Sequence, residues 1–249
     1  YWMECVIKDG DQIVDRYACN WGARTVEMRP TPDGPKPSLY NWQFVINGRP
    51  MWVKGANWCY PDPLLRLDRK RQKRFLEIAK NGHIQLIRVW GGGPVENDDL
   101  YDLCDELGMM TQQEFSMLGF HRLQNIPSIH AADITHYMVR RLRNRPSLVM
   151  WCGSNETSGL GRVHEILGRR CLELDSTRPF HRSCPTGGDQ HWYGVYWSRE
   201  PLLNYRSWAK KSVALTEFGL SSPAAYESWK RVLPKDEWNA WPPKKDSVF

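Results

Sequence analysis

Two glutamates that each follow a short apolar run are the residues best placed to do chemistry. Glu156 closes residues 149–156, and Glu217 lies in residues 215–219 in the same setting. Two facing carboxyl groups suit glycoside hydrolysis, because a protonated one donates to the leaving oxygen while an ionised one attacks the anomeric carbon or activates water. The competing interpretation is that each glutamate caps a helix within a loop.

Other polar and aromatic residues follow the predicted strands in the same way. Barrel enzymes place their chemistry at the carboxyl ends of strands, so these residues are candidates for binding a substrate. They are Asn57, Trp58, Arg88, Trp90, Glu114, Asn155, His191 and Trp192. Of the 13 Trp in the chain, we expect Trp58, Trp90 and Trp192 to stack on a sugar ring or wall its pocket. Trp52 and Trp151 lie within strands, where core packing is expected.

Alternating strands and helices must position these residues. From residue 51 onward, seven strands are predicted near residues 51–56, 84–90, 109–115, 148–153, 180–184, 191–196 and 212–218. Helices are predicted near residues 68–82, 97–107, 132–144, 161–174 and 223–233. This alternation is typical of α/β proteins with a parallel sheet and crossover helices. A closed (β/α)₈ TIM-type barrel needs eight strands, and the Pro- and Lys-rich residues 234–249 supply none, so we predict a barrel truncated before its last strand.

Residues 1–38 are predicted to form a separate unit from the barrel at 39–249. Residues 1–30 show the alternation of strands with a turn at 8–11, and the prolines of 30–38 indicate a linker. The chain opens on Tyr1 without a Met and in the middle of a pattern. We therefore expect a fragment whose upstream and downstream segments are missing.

Composition excludes several classes of protein. Hydrophobic residues make up 41% and charged residues 25% of the 249 residues, which is typical of a globular chain and not of a disordered one. The longest apolar runs, such as 147–152, are too short to span a bilayer, and no signal peptide is recognisable. We expect a soluble protein with no membrane partner, and its compartment stays unknown.

Charge and motif patterns argue against other functions. The net charge is +6, and the basic runs at 69–74 and 140–145 are typical of solvated helix faces, so no nucleic-acid partner is expected. Seven Cys without a C-x-x-C pair exclude a disulfide scaffold and a zinc ribbon. The glycines at 91–93 lack the dinucleotide-binding spacing, and the pair His164-Glu165 lacks the second His of a zincin. We predict neither a cofactor nor a metal.

Several motifs, taken in order, carry a resemblance to a known family. They are residues 44–50 (FVINGRP), 54–58 (KGANW), 88–93 (RVWGGG), 101–108 (YDLCDELG), 141–148 (RLRNRPSL), 151–156 (WCGSNE) and 216–219 (TEFG). Together they resemble the catalytic barrel of glycoside hydrolase family 2, on its β-mannosidase branch. The resemblance covers about residues 1–235. Residues 1–30 resemble the end of the immunoglobulin-like β-sandwich that precedes this barrel.

The resemblance implies a retaining exo-β-glycosidase that releases terminal sugars, β-D-mannosides above all, from an oligosaccharide or glycoside. Glu156 matches the general acid/base, Glu217 the nucleophile, and Asn155 the residue that hydrogen-bonds the sugar 2-hydroxyl. The positions around the terminal-sugar pocket are matched by Trp58, Arg88, Trp90, Glu114, His191 and Trp192. Retention implies carboxyl groups about 5–5.5 Å apart.

Three departures from the family pattern leave the sugar open. Gln112 stands where a Trp is usual, Ser154 stands where a second Asn is common, and residues 194–197 are a variant stretch. Exo-β-glucosaminidase, β-galactosidase and β-glucuronidase are therefore alternatives within the class. A non-catalytic carbohydrate-binding fragment is the alternative of another class.

Overall fold

The computed structural model of the chain describes residues 1–32, 41–62, 64–117, 128–157, 161–208, 213–219 and 224–238. None of the helices within these ranges is both long and apolar enough to cross a membrane. The predicted linker at 30–38 and the tail at 239–249 lie largely or wholly outside the described residues.

Five antiparallel strands precede the barrel. Strands β1 (Trp2–Asp9) and β2 (Gln12–Asn20) form an exposed hairpin. Strands β3 (Val26–Pro30), β4 (Asn41–Ile46) and β5 (Arg49–Met51) form a second sheet. The turn between β4 and β5 is the predicted Asn47-Gly48 pair, with φ of 50° and 74°, as a two-residue hairpin turn requires. Because β3 pairs with β4, this sheet spans the predicted boundary at residue 38, and the division into two units stays a prediction.

Seven parallel strands follow in the described residues. Five form one sheet in sequence order: β6 (Gly55–Trp58), β7 (Leu86–Val89), β8 (Met110–Glu114), β9 (Leu148–Cys152) and β10 (Phe180–His181). Strands β11 (Asp189–Trp192) and β12 (Ala214–Phe218) pair with each other. A bridge between Asn155 and Cys184 extends the β9–β10 pairing. Strands β7, β8 and β9 are largely buried, as strands covered on both faces are.

Four long helices cover the sheet: α1 (Arg69–Asn81), α2 (Asp98–Leu107), α3 (Ser128–Leu142) and α4 (Arg162–Leu174). The predicted cap of α1 is confirmed, because the Asp68 carboxylate accepts a hydrogen bond from the backbone N–H of Arg71 at 2.8 Å. Helix α2 ends at Gly108, whose left-handed φ of 65° a glycine adopts without strain. Short helices follow: α5 (Gly194–Trp197), α6 (Tyr205–Trp208) and α7 (Tyr226–Trp229).

Two predicted elements are shorter than expected. The strand predicted at 191–196 ends at Trp192, because Gly194 begins α5. The helix predicted at 223–233 is regular only over Tyr226–Trp229. Both stretches are rich in aromatic residues, whose local preferences do not separate a strand from a helix.

Apolar side chains fill the layer between helices and sheet. One cluster packs α3 and α4 against β9 and includes Trp151, which is fully buried as expected. Another packs α1 and α2 against β6 and β7. A third joins the β3–β5 sheet to Leu86, Val149 and Met150, and so lies beneath the barrel strands. Trp52 is 81% exposed, so its expected place in the core is wrong. The residue follows the last strand of that sheet, at its surface.

Candidate active site

The two glutamates singled out by sequence meet at the carboxyl ends of β9 and β12. His191 stands between them, with Nδ1 at 3.0 Å from Glu156 Oε1 and 3.3 Å from Glu217 Oε2. One oxygen of each carboxylate and the His191 nitrogen all lie within 4.8 Å of one another. The side chain of Glu217 is 9% exposed and that of Glu156 is 38% exposed. The pair therefore combines one sheltered carboxylate with one that reaches solvent.

Arg88, in β7, holds the sheltered carboxylate. Its Nη1 donates to Glu217 Oε1 at 2.6 Å, its Nε to Glu114 Oε1 at 2.7 Å and its Nη2 to Asn155 Oδ1 at 2.5 Å. The second oxygen of Glu114 accepts the backbone N–H of Gly91 at 2.7 Å. The guanidinium group is planar and rigid, and its five N–H donors point in fixed directions. Arg88 therefore fixes the positions of Glu217 and Asn155 relative to each other.

Arg88 forms buried ion pairs with Glu114 and Glu217, and the opposite charges stabilise one another. Although burial acts to lower the pKa of the Arg88 guanidinium, the carboxylates of Glu114 and Glu217 outweigh it and raise that pKa. Burial raises the pKa of the Glu114 carboxyl, against the opposing effect of Arg88. A buried carboxylate needs such a partner, since an unpaired charge in the interior is costly. Arg88 thus stays cationic beside Glu217.

Tyr193 is a site residue that sequence reasoning missed. Its hydroxyl donates to Glu217 Oε2 at 2.7 Å, so both oxygens of Glu217 carry a donor. Burial raises the pKa of the Tyr193 phenol, and the hydrogen bond to Glu217 raises it further. The phenol therefore remains a protonated donor. Its position directly after His191-Trp192, at the end of β11, was the one available signal.

An open cleft of about 420 Å³ lies over the two carboxylates. Its lining is Glu156, Tyr193, Tyr196, Trp197, Glu217, Phe218 and Gly219. Trp197 is 74% exposed, and its ring meets that of Tyr196 edge-on at 4.4 Å between centroids. Aromatic faces beside a few convergent polar groups suit a ligand that has both apolar faces and hydroxyls.

Two groups of side chains in the described ranges have the composition to hold a metal ion. They are Glu156 with His191 and Glu217, and His181 with Cys184 and Asp189. In the second group, the Cys184 thiol and the Thr216 hydroxyl each donate to Asp189 Oδ2 at 2.9 Å. These hydrogen bonds reach Oδ2 only, whereas Oδ1 lies 3.5 Å from His181 Nε2. The absence of a metal requirement stays a prediction.

Part of the chain matches the model of a known family. The model of the glycosyl hydrolases family 2 TIM barrel domain matches residues 94–190, which run from before α2 to β11 and include Glu114, Asn155 and Glu156. Over these residues the chain is similar to glycosyl hydrolase family 2, in agreement with the resemblance of the sequence motifs.

The similar proteins include several β-mannosidases. The β-mannosidase of Capra hircus is 29% identical over 259 residues, which cover 87% of this chain and 29% of that protein. β-Mannosidase B of Aspergillus clavatus is 36% identical over 156 residues, covering 61% of this chain and 18% of that protein. The chain therefore spans less than a third of the length of these curated relatives.

Solved structures show the same barrel. The β-D-mannosidase of Dictyoglomus thermophilum matches with a TM-score of 0.77 and 28% identity, over 93% of this chain and 31% of that one. The exo-chitosanase of Amycolatopsis orientalis matches with a TM-score of 0.62 and 20% identity, over 79% of this chain and 25% of that one. The second likeness concerns the fold alone. Together with the family match, they confirm the TIM-barrel prediction.

Most of the predicted site residues come together around Glu156 and Glu217. Glu156, Glu217, Asn155, Arg88, Glu114 and His191 are linked by the hydrogen bonds and close contacts described above. Asn57 joins them through its Oδ1, at 3.3 Å from Arg88 Nη1. Their contacts with a substrate stay predictions.

The three tryptophans expected at the sugar pocket lie apart from the cleft lining that the described residues form. Trp58 is 7% exposed, donates from its indole to Glu96 at 2.7 Å, and meets Phe75 of α1 edge-on. Trp90 packs over Gly92, and Trp192 packs over Gly194, since a Cβ at either glycine would lie within 2.4 Å of the ring. Their role in sugar binding is still a prediction, and Trp197 is the Trp that the cleft contains.

Proposed function

We propose that the chain carries the catalytic barrel of a β-glycosidase that hydrolyses glycosides with terminal β-linked sugars. The observation that supports this most is the pair Glu156 and Glu217, of which one oxygen each lies within 4.8 Å of the other and of a His191 ring nitrogen. Two carboxyl groups flanking a scissile bond at short separation are the requirement for retaining hydrolysis. The aromatic cleft above them and the match of residues 94–190 to the family 2 barrel model support the same function.

The surroundings of the two carboxylates support a division of their roles. Glu217 is held at both oxygens by Arg88 and Tyr193, so an ionised carboxylate is fixed for attack on the anomeric carbon. Glu156 is more exposed and has His191 as its partner, which suits a group that exchanges protons with solvent. In this mechanism Glu156 protonates the leaving oxygen while Glu217 forms the glycosyl ester, and Glu156 then deprotonates the water that releases the sugar.

We further propose that the sugar is β-D-mannose. The similarity to β-mannosidases of Capra hircus and Dictyoglomus thermophilum supports this choice. Glucosamine, galactose and glucuronic acid remain the alternatives for a panel of aryl glycosides, and the departures at Gln112 and Ser154 are where specificity would differ from the relatives.

The experiment is turnover of aryl β-mannosides by the full polypeptide, with NMR of the anomeric proton in the first product. Retention predicts that the β-anomer is released first. The variant Glu217→Ala is expected to lose several orders of magnitude in kcat, because no other group in the cleft replaces a nucleophile. Glu156→Ala is expected to lose most on substrates with poor leaving groups, and added azide is expected to restore part of the rate.

Glu173→Gln is the matched control, since this carboxylate lies at the exposed end of α4 and pairs only with neighbouring arginines in the described residues. It is expected to keep full activity. Undiminished turnover by Glu217→Ala, or an α-anomer as first product, would contradict the proposed roles. Binding of mannosides without any hydrolysis would instead favour the carbohydrate-binding alternative.

A further inference from the structure

The backbone at Glu156 is held in an uncommon conformation. Its φ is +50°, in the left-handed region that residues other than Gly, Asn and Asp seldom adopt. Such a conformation is strained and persists only where the surroundings enforce it. The backbone contributes two hydrogen bonds, from Glu156 N to Cys184 O at 2.6 Å and from Cys184 N to Ser154 O at 3.0 Å.

Side chains on both sides of Glu156 complete the restraint. His164 Nε2, from α4, lies 2.8 Å from Ser154 Oγ and 3.1 Å from Thr157 Oγ1. The two hydroxyl oxygens are 2.6 Å apart. One imidazole nitrogen thus contacts the residue two before Glu156 and the residue directly after it.

Ser183 closes the group from the opposite side. Its Oγ accepts from Thr157 Oγ1 at 2.9 Å and from the Thr157 backbone N–H at 3.3 Å, and it donates to Ser154 O at 3.3 Å. Residues 154 to 157 are therefore clamped between α4 and the segment after β10. The exposed Glu156 side chain projects from a short loop whose two flanks are both fixed.

The imidazole that joins the flanks is neutral and buried. His164 is 3% exposed, and burial lowers its pKa, with Arg182 lowering it further. Gly153 lies directly against the ring, since a Cβ there would be 3.3 Å from His164 Cδ2. A neutral imidazole can accept a hydrogen bond from one hydroxyl group, while the other hydroxyl groups donate to one another or to a backbone carbonyl. Each hydroxyl proton in the group therefore has an acceptor.

We propose that His164 is a positioning residue for the general acid: through Ser154 and Thr157 it fixes the loop that aims the Glu156 carboxyl at the leaving oxygen. This inference rests on the proposed acid/base role of Glu156. His164 touches neither carboxylate of the pair, so its effect passes through the loop. Ser154, the departure from the family's second Asn, is the residue through which this chain makes the connection.

The test separates proton donation from every other part of the reaction. A phenol of low pKa departs without a proton, whereas a phenol of high pKa or an alkyl alcohol needs one. General acid catalysis contributes about 10²–10⁴-fold, so a displaced acid loses a large part of that factor on poor leaving groups alone. The measurement is kcat/KM of His164→Ala on aryl β-mannosides ranging from 2,4-dinitrophenyl to unsubstituted phenyl.

We expect His164→Ala to lose about 10–100-fold on phenyl mannoside and less than about 3-fold on the dinitrophenyl substrate. His164→Gln, whose amide can still meet the hydroxyls, is expected to recover most of the loss. Ser154→Ala is expected to show the same leaving-group dependence as His164→Ala, and to a smaller degree. His130→Ala, at an exposed position of α3, is the control and is expected to change nothing.

An equal loss on all substrates, or no loss on any, would overturn the positioning role. A crystal structure of His164→Gln and of Ser154→Ala gives a second readout that does not depend on turnover. In Ser154→Ala, Glu156 is expected to leave its left-handed conformation or to separate from His191 Nδ1, and an unchanged Glu156 would also overturn the inference. If the unaltered protein hydrolyses no aryl glycoside, the proposed function fails, and the structural readout alone decides whether the loop is held as inferred.

Discussion

Replacing Arg88 by Met is the most informative perturbation of the site, because the guanidinium lies between two carboxylates. The side chain is 3% exposed and that of its partner Glu114 is 0% exposed. Met keeps most of the length and volume of the apolar stem while removing the charge and the donors. The variant leaves Glu114 buried with the Gly91 N–H as a remaining donor.

The expected loss follows from that burial. Removing one partner of a buried ion pair destabilises a protein by about 3–5 kcal/mol, because the other charge is left uncompensated. For a domain of this size, that corresponds to a fall in Tm of about 6–20 °C. Changing Glu114 to Gln in the same protein removes the more deeply buried of the two stranded charges. The double variant Arg88→Met/Glu114→Gln is therefore expected to be at least about 1 kcal/mol more stable than Arg88→Met alone.

Urea unfolding followed by Trp fluorescence measures both quantities. Arg170→Met is the matched control, since Arg170 pairs with Glu173 at 2.8 Å on the surface of α4, where both side chains are nearly half exposed. Its removal is expected to change the free energy of unfolding by less than about 1 kcal/mol. A loss below about 1 kcal/mol for Arg88→Met, or a double variant less stable than the single one, would refute the reasoning.

Three further predictions concern single contacts. Tyr193→Phe removes the donor to Glu217 Oε2, and a hydrogen bond to a charged group is worth about 1.5–3 kcal/mol, so kcat on aryl mannosides is expected to fall about 10–100-fold. Asp68→Ala removes the cap of α1 and is expected to lower the free energy of unfolding by about 1 kcal/mol in urea titrations. Because the pKa of His164 is lowered in the folded protein, its contribution to stability is complete above its unfolded pKa of about 6.5 and is lost as pH falls below it. Urea titrations from pH 8 to pH 5 are expected to show this loss, and His164→Gln to reduce it.

Each of the three has a control. Tyr137→Phe alters a tyrosine that is 67% exposed on α3 and is expected to leave kcat unchanged, whereas equal losses in both variants would contradict the role of Tyr193. Asp68→Asn keeps a capping oxygen, so it is expected to retain most of the stability, and a loss equal to that of Asp68→Ala would argue against the cap. A pH dependence that His164→Gln leaves unaltered would assign the titration to another group.

The strand–helix order could be predicted from sequence because several buried parallel strands are short apolar runs and helix α1 begins after a capping residue. The runs at β7 and β9 and the cap Asp68 are signals of this kind. The ends of β11 and α7 could not be predicted as well, since residues 191–197 and 223–233 contain aromatic side chains that fit either element. The prediction that Trp52 packs in the core was wrong because a pattern of apolar residues does not show where a strand reaches the surface.

The glutamates of the candidate site could also be predicted, because a carboxylate directly after a buried strand is poorly placed for a structural role. Tyr193 could not, since a Tyr among aromatic neighbours carries no separate signal. The partnership of Ser154, Thr157 and His164 likewise depends on how α4 lies against the loop after β9. The sequence shows these residues near one another along the chain but not that a single nitrogen meets both hydroxyls.

By itself, the sequence determined which residues lie at the carboxyl ends of the strands. It thereby determined which polar groups are present at that end of the barrel. Only the tertiary structure decided which of them meet. Arg88 reaches Glu114, Asn155 and Glu217 because β7, β8, β9 and β12 direct their carboxyl ends toward one interior. Trp58 instead turns toward α1, where it buries its ring and gives its N–H to Glu96. Whether a side chain at a strand end points into the barrel or toward the helices depends on the residues that pack against it. Those neighbours are determined only in the folded chain.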